Sequence, residues 1–174
     1  MELSEALNRR RSIRSYTGQM ADAAQLEAIL AAAYEAPVGM GRYEGIHLTV
    51  VTRPGLLAAI DAAAARMFGK PDAHPLYGAP MLVVVSSDQE GNVASANVAA
   101  VIQNMSLAAV DQGVGSCYIY GATRALAQDA DLLAQLDLPE GFAPLGSIVL
   151  GKTDEKYGPR QVPADHHFAQ NDVA

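Results

Sequence analysis

The segment Met81-Leu82-Val83-Val84-Val85 is apolar at every position. Side chains along a strand alternate between its two faces, so a strand without a polar face needs cover on both sides and belongs at the centre of a sheet. Three further strands can be read around it. Residues 46–52 are β-branched and bounded by breakers; Ser116-Cys117-Tyr118-Ile119-Tyr120 runs into a tight spot at Gly121; and residues 146–150 end at Gly151. Ser4 is placed to cap a short first helix with Leu3 and Leu7 on one face. Asp22 and Gln25 have capping-box spacing before a helix over 23–35 that Pro37 ends. Pro54 opens and Gly69 closes a third helix. Val98, Val101, Ile102, Met105 and Ala109 mark a long helix over 93–112, apolar nearly all round and therefore buried centrally or between subunits. A last helix spans 124–135. Strands and helices alternate without a clean βαβ repeat, which predicts an α+β or three-layer arrangement and a single domain over residues 1–174.

Composition removes several function classes. The formal charge of −7 argues against nucleic acid or an anionic membrane as the main partner, because both need broad positive surface. No uninterrupted apolar run reaches the roughly 18 residues of a membrane span, and residues 1–5 lack the pattern of a signal peptide. The single Cys117 excludes an internal disulfide and fits a reducing cytoplasm. The core is rich in Ala and Val and has no Trp. Such a core buries modest area per residue, so a dimer interface is a natural supplement.

Against this acidic background, Arg9, Arg10, Arg11 and Arg14 put four of the chain's 12 basic residues within six positions. That concentration points to one specific anion. If the backbone is extended here, Arg10, Ser12 and Arg14 project from one side. Two guanidinium forks flanking a hydroxyl make a phosphate grip; the alternative is a solvated basic turn. A second feature is the loop Pro37-Val38-Gly39-Met40-Gly41-Arg42-Tyr43-Glu44-Gly45, whose three glycines in seven residues exclude regular structure and allow close approach to a ligand. No metal template is present: His47, His74, His166 and His167 lack helical i, i+4 spacing, and the tail pair reads as a surface feature. Cys117, in an apolar strand, reads as a small buried hydrophobe. Gly113-Val114-Gly115-Ser116 opens a strand and lacks the third glycine of a dinucleotide fingerprint. With no protein-borne nucleophile or metal, any catalysis falls to a cofactor.

Four motifs in order resemble the nitroreductase family of flavin mononucleotide (FMN) oxidoreductases. They are Arg10-Arg11-Ser12-Ile13-Arg14-Ser15-Tyr16, Ala36-Pro37, Tyr77-Gly78-Ala79-Pro80 with the strand that follows, and Gly113 to Ile119. The resemblance implies a three-layer α+β sandwich with a mostly antiparallel sheet flanked by helices, forming a homodimer with flavin at the subunit interface. It implies that Arg10, Arg11, Ser12 and Arg14 hold the cofactor, with Lys156 and Arg160 completing the phosphate site. The backbone of Tyr120 and Gly121 falls near flavin N5, and Pro37, Val38, Gly39, Met40 and Gly41 of the second copy line the ring. Val38 and Gly41 stand where the family has Ser and Asn, and Tyr43-Glu44-Gly45 replaces its Gln-Pro-Trp. The implied activity is transfer of electrons from NAD(P)H to nitroaromatic, quinone or similar flat acceptors by a ping-pong mechanism. A flavin reductase and a non-catalytic flavin-binding protein are the alternatives, and a nucleic-acid module the weakest of the readings.

Overall fold

The computed structural model describes residues 1–163, 165 and 168–173; His166 and His167 lie outside the described residues. Its centre is a four-stranded antiparallel sheet in the order β1 (Ile46–Val51), β2 (Met81–Ser87), β4 (Ala143–Gly151), β3 (Gly115–Tyr118). All seven residues of β2 are buried, as its apolar run requires. The two faces of the central strands feed two cores. Leu82, Val84 and Val149 pack toward α3 (Pro54–Met67), α5 (Tyr120–Gln128) and α6 (Ala130–Ala134). Met81, Val83, Val85, Ile148 and Leu150 pack toward α2 (Ala23–Tyr34) and α4 (Gly91–Asp111). The result is the three-layer α+β sandwich that strand β2 demands.

The Asp22–Gln25 capping box is formed in both directions, and Pro54 occupies the first turn of α3. Other elements differ from the sequence reading. Helix α1 spans Leu3–Arg9 with Glu2 at its N-cap and no side-chain cap, so Ser4 lies inside the helix and does not cap it. Strand β3 stops at Tyr118, and Tyr120-Gly121 form the first turn of α5 instead of a strand end. The single helix expected over 124–135 is two, α5 and α6, because Asp129 has extended backbone and its side chain caps α6 through Leu132 N. The glycine-rich loop contains two single-turn 3-10 helices, Gly39–Gly41 and Tyr43–Gly45; Met40 takes a left-handed φ of 57°. Helix α4 is buried along one face, while Ala96 and Ala99 on the other remain exposed. Helix α4 is long and apolar enough to cross a membrane by length and composition alone, although polar residues interrupt it, and half of its apolar window is buried against the sheet and α2.

Candidate functional site

The arginine-rich motif is held by the edge of the sheet. Ile13 is fully buried and its N–H donates to Ser116 O at 2.9 Å, which pins the extended segment beside β3. Alternation then turns Ser12 and Arg14 away from the core. Farther along, Thr17 N donates to Lys152 O and Lys152 N to Gln19 O. Thr153 Oγ1 donates to Ser15 O, and Glu155 accepts from Arg14 N at 2.9 Å. The tail is thereby laid along the motif. Arg11 Nη2 donates to Gly158 O, Asn8 Nδ2 to Arg160 O, and Arg160 N to Asn8 O. Lys156 and Arg160 are thus brought alongside the motif, both with exposed side chains.

The motif faces two cavities. Arg10, Arg11 and Ser12 border a small one of about 160 Å³, together with Gln103 and Ser106 of α4 and Ser116 to Tyr118 of β3. Arg14 instead borders one of about 900 Å³ between the Gly18–Met20 turn, α3 and residues 74–80. Its guanidinium carbon lies 5.9 Å from the centroid of the Tyr77 ring, within cation–π range. A hydrogen bond with Tyr77 holds Arg14 above the usual guanidinium pKa. Cys117 sits between the two groups: burial pushes its thiol up, while Ser12 and the charges of Arg14 and Arg10 pull it back down. At 5% exposure it is the buried small hydrophobe that the sequence indicated. On the large cavity, Asp61 Oδ2 lies 2.9 Å from His74 Nδ1 and Asp61 Oδ1 accepts from Leu76 N at 2.7 Å.

Tyr120 and Gly121 line neither cavity. As the first residues of α5 their N–H groups have no intrahelical acceptor. Phe68, at the end of α3, covers Gly121 so closely that a Cβ there would lie 2.3 Å from the ring. The turn is tied to β4: Ile119 N donates to Ser147 O at 2.8 Å, Ser147 Oγ to Ile119 O at 2.6 Å, and Thr123 Oγ1 lies 3.1 Å from both Ile119 O and Ser147 Oγ. Ser147→Ala is expected to cost about 0.5–1.5 kcal/mol, because Thr123 keeps the Ile119 acceptor and no buried group is orphaned. A denaturant titration reads this directly.

The Pro37–Gly41 loop lies elsewhere. Gly39 N donates to Asn97 Oδ1 of α4 at 3.0 Å, and Val38 borders a separate cavity of about 240 Å³ with Tyr34, Tyr43 and His47. The loop leads into β1, at the opposite edge of the sheet from β3, roughly 14 Å away at normal strand spacing. Within one chain, then, the structure brings together residues 10–14, 117 and 156–160 but not residues 37–41. The Asp61–His74 pair and the Ser147–Thr123 pair were not singled out from the sequence. Both join residues of different elements, and neither carries a periodic or motif signal.

The family model "Nitroreductase family" matches residues 7–152. A nitroreductase with bound FMN from Bacteroides fragilis is 29% identical, with a TM-score of 0.82 over 98% of this chain and 100% of that one. A nitroreductase with bound FMN from Desulfitobacterium hafniense is 24% identical, with a TM-score of 0.84 over 99% and 100% of the two chains. The FMN and NADPH-dependent nitroreductase NfnB of a sphigopyxis strain is 23% identical, with a TM-score of 0.75 over 99% and 100%.

Proposed function

The chain belongs to the nitroreductase family, and from that premise we propose that it is an FMN-dependent oxidoreductase passing electrons from NAD(P)H to nitroaromatic, quinone or similar flat acceptors. The observation that carries the reading is the gathering of Arg10, Arg11 and Ser12 around one small cavity, with the Lys156–Arg160 segment hydrogen-bonded beside it. The donor set fits the phosphate end of FMN. Among the described residues, Arg10 has no salt-bridge partner, and Arg11 Nε is buried without a hydrogen-bond acceptor. Free guanidinium donors and a hydroxyl are what a phosphate dianion takes up.

In this reading Arg10 and Ser12 hold the phosphate and ribityl chain, and Lys156 and Arg160 add positive charge from the tail. Arg14, fixed on Tyr77, would serve the pyrimidine end of bound FMN and would stabilise negative charge there. The N–H groups of Tyr120 and Gly121 would bind the ring, and Pro37, Val38, Gly39, Met40 and Gly41 would come from the second copy of a homodimer. The exposed small-residue face of α4 and the 88% exposed Met40 support such an interface. Bound FMN supplies hydride and electron transfer, with donor and acceptor visiting in turn.

Purified protein is expected to be yellow and to bleach with NADH or NADPH under anaerobic conditions. Protein that neither carries flavin nor binds added FMN would falsify the reading. Flavin that binds but resists both nicotinamides would make the chain a binder only.

A further inference from the structure

Building on the acceptor-reducing function above, we propose that His74, held by Asp61, is a specificity-determining residue that hydrogen-bonds a ring oxygen of a planar, otherwise apolar acceptor seated in the cavity beside Arg14. The cavity, about 900 Å³, is within the range of small-molecule sites, roughly 300–1,000 Å³, which combine apolar walls with a few placed polar groups. Met20, Leu57, Ala58, Leu76, Ala79 and Pro80 supply the apolar wall.

The polar groups are selective. Both oxygens of Asp61 are engaged, one by Leu76 N and one by His74 Nδ1, so its carboxylate offers little to a ligand. Its side chain is only 17% exposed, whereas that of His74 is 79% exposed. A largely buried carboxylate thus fixes the orientation of an imidazole that stays accessible. With Nδ1 tied to Asp61, Nε2 is the nitrogen left for a ligand. It accepts from a hydroxyl when the ring is neutral and donates to a carbonyl when the ring is charged. Because the imidazole is 79% exposed, water replaces a missing ligand oxygen, so the preference over the same ring without one is the modest net worth of a single hydrogen bond.

The test is equilibrium dialysis of the full chain, oxidised and without nicotinamide, at about pH 5.5, where an ordinary imidazole is charged and can donate to a carbonyl, against 2-methyl-1,4-naphthoquinone and its oxygen-free counterpart 2-methylnaphthalene. Wild type is expected to bind the quinone more tightly. His74→Phe, which keeps bulk at an exposed position, should abolish that preference, with about a tenfold loss for the quinone and little change for the hydrocarbon. His74→Gln should restore part of it. Ala58→Phe, from an exposed position on α3, should exclude both ligands without unfolding the protein. In turnover, His74→Phe should raise KM for the quinone more than it lowers kcat. Quinone preference that survives His74→Phe overturns the assignment. So does unchanged binding in Ala58→Phe, including the case in which that variant instead splits a dimer because a second copy covers the cavity. Dialysis is read on the protein whatever its flavin content, so failure to bind FMN and failure of this assignment are separate results.

Discussion

Arg10→Ala and Arg14→Ala are each expected to weaken FMN binding by roughly 1.5–3 kcal/mol, the loss of a hydrogen bond to a charged group, or about ten- to a hundredfold in affinity. The two should differ in kind. Arg10 borders the small cavity with Ser12, where the phosphate and ribityl chain are assigned, so Arg10→Ala should penalise FMN more than riboflavin, which lacks the phosphate. Arg14 is held over Tyr77 on the other cavity, so its removal should weaken both flavins. Fluorescence titration of the apoprotein with each flavin separates the cases. Unchanged affinity for FMN in both variants would show that the arginines serve only the surface.

Leu82→Ala is expected to lower stability by about 2–5 kcal/mol. Leu82 is fully buried on the central strand and packs with Leu57, Ile60 and Leu126 from the helices that cover that face. Strand β2 is bonded on both sides, by β1 and β4, so the sheet resists closing over the vacated space. At roughly 2–4 °C per kcal/mol for a chain of this size, calorimetry should show a fall in Tm of roughly 4–20 °C. A cost under about 1 kcal/mol would mean that the helical layer collapses into the cavity.

Much of this fold was legible because its strongest signals are local. The unbroken apolar run of β2 required two covering layers, the Asp22–Gln25 spacing set the start of α2, and Pro54 set that of α3. The misreadings came where tertiary contacts override local pattern. Tyr120-Gly121 looks like the end of a strand, yet Ser147 ties Ile119 down so that the chain turns into α5 at once. Asp129 falls within the single helix expected over 124–135, and only its extended backbone makes it the cap that divides α5 from α6. For the candidate site, the arginine motif was visible as a charge concentration, and the structure adds that it divides between two cavities. His74 was weighed only as a metal ligand, and its pairing with Asp61 went unseen because Asp61 lies 13 residues away on another element, a juxtaposition that no spacing rule encodes.

The clasp between Asn8 and Arg160 joins positions 152 residues apart, and Arg11 reaches Gly158 beside it. The arginine motif is therefore synthesised well before the strap that lies against it. Closing so long a loop carries an entropic cost that only the assembled sheet can offset. A nascent chain that has made β2 and α4 but not the tail has the arginines without their counterpart. The grip proposed for the cofactor is therefore complete only once the sheet between its two halves has been made.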